Sequence, residues 1–210
     1  MNKKKMLIIT VFLVVVISLM LTVHWYVRFR EVSETSWLKL GVYMTYEQFF
    51  VWDEHSDTEY MTWNTTKLWN GVVDLSLTGH SVNVTNGNVE LTVKEANLTI
   101  EVVTREVVSG SEIIAYYLDE KWPFWIETNV TIGSTIDIWY GINTITKNES
   151  IYVLGQQRNC WMVEYSWTTA NMKRWYDKSS GICLKIHVIL YRQDVIIQIT
   201  ETAVLTNIDL

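Results

Sequence analysis

Asp53-Glu54-His55-Ser56-Asp57 is the segment of this chain whose residue types come closest to a metal-binding pattern. Calcium loops use carboxylates at such spacing, but they also need a glycine and a closing glutamate twelve residues along. This segment has neither, so a solvated loop is the better interpretation. No nucleophile, phosphate-binding or dinucleotide motif occurs in the sequence. We therefore expect no metal, no cofactor and no enzymatic activity.

Cys160 and Cys183 are the only cysteines, and outside the cytoplasm such a pair tends to oxidise. Both fall on the more polar faces of their predicted strands, which permits a bridge. In a simple meander, however, the strand at 172–176 would lie between them. That would separate their Cα atoms by about 10 Å, beyond the roughly 7 Å limit of a disulfide. The sequence leaves both interpretations open.

Tryptophan is the compositional outlier: the chain has 11, and all but Trp25 lie after residue 30. Core packing accounts for most of them, but ten indoles exceed the usual need of one domain. A curved sheet with an apolar inner face would instead bind a hydrophobic ligand. The segment around the only proline, Pro123, is the first candidate for such a site. We nominate as ligand-binding residues Trp122, Phe124, Trp125 and Trp139.

The elements that position these residues are predicted to be strands. Apolar residues alternate with polar ones over 91–93, 98–102 and 182–190, a period of two that places one set on each strand face. Asn86-Gly87-Asn88 predicts a hairpin, because asparagine and glycine both accept positive φ. About nine to eleven strands at short spacing, separated by turn signals, predict one antiparallel domain. The stretch 58–70 is ambiguous and could hold a short helix.

The first thirty residues predict a membrane anchor. Residues 6–23 carry no charge and span about 27 Å as a helix, close to the thickness of a bilayer core. Three lysines precede this run, which places the N-terminus in the cytoplasm. A cleaved signal peptide is the alternative, but the small-residue cleavage site is missing. We predict a cytoplasmic lysine cluster and single-pass signal anchor at 1–30, contacting the bilayer through 6–27, and an extracytoplasmic β domain at 31–210.

The charge distribution agrees with this division. Residues 1–30 hold five of the 17 Lys and Arg and no acid, so 31–210 carry 12 basic and 23 acidic residues, a net charge of −11. Nucleic-acid binding needs a basic face and is not expected. Five N-x-Ser/Thr motifs would be candidate glycosylation sites outside the cell. Their asparagines are Asn64, Asn83, Asn97, Asn129 and Asn148.

Residues 175–185 read WYDKSSGICLK. They resemble a Y-D-K-x-T-G-x-L-x-K hairpin found in uncharacterised archaeal membrane-anchored surface proteins, and more distantly the lipoprotein-carrier half-barrels of bacteria. The motif residues are Tyr176, Asp177, Lys178 and Gly181, and a T-E-T motif follows at 200–202. Here Asp177 would accept local backbone hydrogen bonds and Gly181 would supply a positive φ.

This chain departs from the archaeal pattern at three places. Ser180 replaces the threonine, Cys183 replaces an apolar residue, and Gly133-Ser134 lacks the acid of a usual Gly-Asp step. The resemblance covers about the last 40 residues well. It implies a curved antiparallel sheet, a half-barrel or open barrel, with a short helix against its concave face.

Together these observations predict a membrane-anchored extracytoplasmic binding domain. The leading hypothesis is a hydrophobic or lipid-like ligand on the concave face of the sheet. The alternative is a cell-surface adhesion or scaffold module that binds glycans or a surface protein through exposed aromatic rings. An extracytoplasmic enzyme is the least favoured.

Overall fold

A computed structural model describes residues 37–110, 120–138, 141–192 and 195–210. Residues 37–210 form one compact unit with a hydrophobic core of its own, and we expect this part to fold by itself. The described residues are mainly β, as predicted, and none is helical. The strands are β1 (Tyr43–Trp52), β2 (His55–Trp69), β3 (Val72–Thr85), β4 (Asn88–Glu101), β5 (Val107–Gly110), β6 (Thr135–Ile138), β7 (Gly141–Val153), β8 (Gln156–Trp167), β9 (Ala170–Asp177), β10 (Cys183–Arg192) and β11 (Val195–Thr206).

The sequence predicted two possible helices, one at 58–70 and one in the anchor at 6–27. The ambiguous stretch 58–70 falls within β2, except for its last residue, so the helical alternative is wrong there. The anchor predicted at 6–27 lies outside the described residues. Within the described ranges, no helix is long and apolar enough to cross a membrane.

The strands form one open antiparallel sheet in the order β5-β4-β3-β2-β1-β11-β10-β9-β8-β7-β6. The first and last strands pair at its centre, and a meander runs outward on each side. Two-residue turns join several of the hairpins, and Asn86 and Gly87 both have positive φ at the predicted one. The sheet is not closed, because β5 and β6 do not pair with each other.

The sheet is strongly bent, because residues 120–126, here the crossing segment, connect strands that are far apart in the strand order. The Trp122 amide donates to the Arg105 carbonyl just after β4, at 2.7 Å, and Phe124 O accepts from the Cys183 amide of β10, at 2.9 Å. Four strands separate β4 from β10, about 24 Å in a flat sheet, whereas two residues of chain span about 7 Å. The face that the crossing segment covers is therefore concave.

Alternating side chains of the central strands build the core on this concave face. On β1, Met44, Tyr46, Gln48 and Phe50 are buried, and the residues between them are at least partly exposed. The Tyr46 hydroxyl donates to the Cys183 carbonyl at 2.6 Å, which ties β1 to β10 across β11. This alternation is the period of two that predicted the strands.

The crossing segment fills one half of the concave face with aromatic rings. Trp125 is 1% exposed, and its ring centroid lies 5.7 Å from that of Trp37 and 6.4 Å from that of Trp63. Trp122 and Phe124 pack beside it, with centroids 5.1 Å apart. Much of the tryptophan excess therefore serves the core.

The sheet splits on its other half, between β2 and β3. Their ladder ends at the pair Thr62–Thr78, whereas β3 and β4 continue paired to Thr85–Asn88. At Gly79 the backbone lies so close to β2 that an added Cβ would be 2.9 Å from Met61 Cγ. Residues 79–93 thus leave the sheet as a two-stranded extension, which we name the overhanging hairpin.

Candidate functional site

A row of polar side chains crosses the concave face between its filled half and the half beside the overhanging hairpin. Residues that pair directly across strands share a face, which allows the row to be followed from β2 to β9. The pairs are Glu59–Gln48, Gln48–Glu201, Glu201–Ile186 and Ile186–Arg174. Four strands therefore contribute polar groups to one line, interrupted by a single isoleucine.

Gln48 joins this row to the overhanging hairpin. Its Nε2 donates to Glu201 Oε1 at 2.8 Å, and its Oε1 accepts from the His80 amide at 3.2 Å. His80 Nε2 lies 3.5 Å from Glu59 Oε2. These contacts occupy the point at which β3 leaves β2, so they hold the base of the hairpin in place.

Glu201 is the titratable group whose environment in this row is most altered. Burial raises its pKa above the ordinary value, while the hydrogen bond from Gln48 and the charge of Arg174 oppose the rise. The carboxyl is therefore easier to protonate in the folded protein than in the unfolded chain.

The pKa of Glu201 predicts a pH dependence of stability. Because its pKa is higher in the folded state, the stabilisation is complete below the unfolded pKa and is lost as pH rises through the folded pKa. We expect Glu201→Gln to flatten the decline of the free energy of unfolding as pH rises above the ordinary glutamate value of 4.5, measured by urea titration of residues 37–210. The exposed control Glu95→Gln should keep the wild-type slope. Equal slopes in all three proteins would contradict this assignment.

Beyond the polar row, the concave face is apolar and only partly covered. The next cross-strand line contains Phe50, Ile199, Val188 and Met172, and all but Phe50 are half-buried. A groove of about 480 Å³ lies further along, between residues 82–84 of the overhanging hairpin and the adjoining ends of β10 and β11. Ligand sites of this kind commonly measure about 300–1,000 Å³.

The overhanging hairpin is amphipathic. Its cross-strand pairs Val82–Leu91 and Val84–Val89 lie on one face, and the pair Asn83–Glu90 lies on the other. The four apolar residues are half-buried, so part of each side chain is still in contact with solvent. Val82 and Val84 line the groove opposite Leu190 and Ile197. Apolar side chains of the hairpin and of β10 thus meet at one groove, together with the polar residues Asn83, Thr169, Tyr191 and Arg192.

The ligand-binding residues nominated from the sequence are not at this groove. Trp122, Phe124 and Trp125 are buried in the other half of the concave face, with exposed fractions of 6% or less. Trp139 lies outside the described residues. The signal for the groove was the alternation of valine and leucine on both sides of Asn86-Gly87. That pattern predicts a hairpin, but it does not indicate which surface the apolar face of the hairpin contacts.

The hairpin motif of the resemblance lies beside the crossing segment. Gly181 has a φ of +75°, as expected, and its carbonyl accepts from the Ile126 amide at 2.9 Å. The Asp177 carboxylate accepts from the Ser179 and Ser180 hydroxyls, at 2.6 and 3.2 Å, where backbone donors were expected. Tyr176 is fully buried, and Lys178 Nζ lies 3.9 Å from the Trp161 ring centroid.

Cys160 and Cys183 are free thiols, both fully buried. Their strands β8 and β10 both pair with β9, which lies between them as the meander argument required. Burial raises the pKa of each thiol to about 12, so the reactive thiolate is scarce at neutral pH.

The candidate modification and metal positions are located as follows. No group of three or more metal-ligating side chains occurs among the residues that the structure describes. His55 begins β2, on the exposed turn after β1. The candidate glycosylation asparagine Asn64 is half-buried within β2, and the other four are exposed: Asn83, Asn97, Asn129 and Asn148.

Comparison with known proteins identified no relative. No protein-family model, curated protein or solved structure matches this chain. The resemblance of residues 175–185 to archaeal surface proteins therefore stays a hypothesis from the sequence.

Proposed function

We propose that this protein is a binding protein for a hydrophobic or lipid-like ligand. The ligand would occupy the groove between the overhanging hairpin and the ends of β10 and β11. The observation that carries the proposal is a groove of about 480 Å³ lined by the half-buried side chains of Val82, Val84 and Leu190. Its lining also includes the fully buried Ile197 and the polar residues Asn83, Thr169, Tyr191 and Arg192. The partly exposed apolar side chains of this groove would be removed from water when a ligand binds.

The open, bent sheet supports this proposal, because a half-barrel is the architecture that the resemblance implied. A wider depression of about 600 Å³ lies between the β7–β8 turn and residues 202–210. It is more open to solvent than the smaller groove. We therefore assign the ligand to the smaller groove.

Leu190→Gln is expected to weaken binding of a fluorescent long-chain fatty-acid probe to residues 37–210 by about tenfold, because a polar amide would replace one of the apolar side chains that line the groove. Fluorescence titration measures the change. Ile196→Gln is the matched control: Ile196 is 53% exposed and adjoins Ile197 on the opposite face of β11. Absence of saturable binding by the wild type, or equal weakening by both variants, would refute the proposal.

The surface-adhesion alternative has less support. Of the nine tryptophans that the structure describes, only Trp69, at 38% exposed, lies largely at the surface. Most of the described tryptophan rings are thus buried or half-buried, and the other exposed aromatic rings among the described residues are Phe49, Tyr60, Tyr152 and Tyr191. The absence of enzymatic activity stays a prediction from the sequence, in which no catalytic motif occurs.

Membrane attachment remains part of the proposal. The uncharged run at 6–27 is expected to anchor the protein, with the N-terminus cytoplasmic and the β domain outside the cell. The bilayer would then be one partner and the source of a lipid-like ligand. Protease digestion of the β domain in intact cells would test this orientation, and protection from external protease would contradict it.

A further inference from the structure

The split in the sheet leaves one edge of β2 without a neighbouring strand. On its β1 side, β2 is paired from His55 to Asn64. On its β3 side, the ladder ends at Thr62–Thr78, and residues 55–61 pair with no other described strand. We call residues 55–61 the free edge of β2. Five of these seven residues are exposed, so the edge is accessible.

Main-chain groups on the free edge are available for hydrogen bonding. The Thr65 amide donates to the Val42 carbonyl at 2.8 Å, so odd-numbered residues of β2 direct their N–H groups toward β1. Those of Ser56, Thr58 and Tyr60 must therefore point into the split. The Thr58 amide bonds only to the neighbouring Asp57 carboxylate, at 2.8 Å, at an exposed position. An incoming carbonyl can replace such a contact.

This edge lacks three features with which proteins commonly block strand addition, and its charged side chains are the acids Asp57 and Glu59. Exposed edges commonly carry a lysine, a proline or a β-bulge. Strand β7 extends beyond its pairing with β6, and there it has both Lys147 and a bulge between Ile145 and Lys147. Residues 55–61 contain no lysine and no proline, and their pairing with β1 is without a bulge. The free edge is thus suited to receive another strand.

The charge around the free edge indicates the chemistry of its partner. From residue 40 to residue 66 the chain has no lysine or arginine, and five acids: Glu47, Asp53, Glu54, Asp57 and Glu59. Only Glu59 has an ion-pair partner among the described residues, His80. A strand bearing lysine or arginine would complement this charge, and an acidic strand would be repelled.

We propose that the free edge of β2 binds an extended, lysine- or arginine-bearing segment of a partner protein as an added β-strand. Main-chain hydrogen bonds to Ser56, Thr58 and Tyr60 would supply the affinity, and the acidic side chains would supply the selectivity. This site is separate from the proposed ligand groove, and a protein without ligand would keep it.

The test uses full-length protein in zwitterionic lipid nanodiscs and a labelled eight-residue peptide of alternating lysine and threonine. Fluorescence anisotropy should show saturable binding, and hydrogen exchange should slow at residues 56–60. The same peptide with glutamate for lysine should not bind, and empty nanodiscs control for binding to lipid. Absence of binding, or protection confined to other strands, would overturn the proposal.

Three variants separate strand addition from simple charge attraction. Thr58→Pro removes one edge amide and should weaken the basic peptide about tenfold. Asp57→Lys should abolish binding by placing a lysine on the edge. Glu54→Lys makes the same charge change in the turn and should weaken binding less. If Thr58→Pro folds normally and binds as the wild type does, or if Asp57→Lys and Glu54→Lys are equally impaired, the proposal fails. Self-association that the peptide cannot reverse would instead assign the edge to a second copy and also overturn it.

Discussion

Gly181→Ala is expected to destabilise residues 37–210 by about 3 kcal/mol. Gly181 has a φ of +75°, a conformation that costs a side-chain-bearing residue about 1–2 kcal/mol. The added Cβ would also collide with the Ile126 carbonyl oxygen, in the crossing segment that fills half of the core. Overpacking of this kind commonly costs about 1–3 kcal/mol more. Urea unfolding followed by circular dichroism measures the change.

Gly87→Ala is the matched control for this prediction. Gly87 has a φ of +78°, and an added Cβ there would meet no atom within 4 Å. It should therefore show the backbone cost alone, about 1–2 kcal/mol. If the two variants were equally stable, the contact between the crossing segment and Gly181 would not contribute to the fold.

Trp125→Ala is expected to cost about 3–5 kcal/mol, the usual range for removing a large ring from a core. Trp125 is 1% exposed and lies within 6.4 Å, between ring centroids, of Trp37, Trp63 and Trp122. Thermal and urea unfolding by circular dichroism would measure the loss without relying on tryptophan emission. The crossing segment should also become accessible to protease.

Trp69→Ala provides the comparison for Trp125→Ala. Trp69 is 38% exposed and lies at the end of β2 beneath Lys67 Nζ, 4.2 Å from the ring centroid. Its loss should cost less than about 1 kcal/mol. A Trp125 variant as stable as Trp69→Ala would mean that the ring does not serve packing, and would return the crossing segment to the list of ligand-binding candidates.

The local features of the fold were predictable because they depend on residues close in the sequence. Asn86-Gly87 marked its hairpin, and the alternation over 182–190 marked β10. The prediction of an antiparallel β fold followed from the turn signals and is confirmed by the one open antiparallel sheet. None of these features required knowledge of which distant strands meet.

The pairing of β1 with β11 could not be predicted, because strand alternation shows which residues share a face but not which strands are neighbours. The polar row depends on that pairing, since Gln48 and Glu201 meet only across β1 and β11. The burial of Trp122, Phe124 and Trp125 also depended on long-range structure. These three rings lie on a segment outside the strands, where exposure would be expected. They are buried because the bent sheet encloses the segment.

The central position of β1 and β11 determines the order in which parts of this chain can fold. Every other pair of neighbouring strands is consecutive in the sequence, so each meander can form by local zippering. The β1–β11 pair instead joins residues such as Phe50 and Ile199, and its formation requires closure of a loop containing most of the domain. We therefore expect two meanders to form early and their joining to limit the folding rate. A circular permutant that links Thr206 to Tyr43 and opens the chain between β5 and β6 would make all neighbours consecutive, and should fold faster.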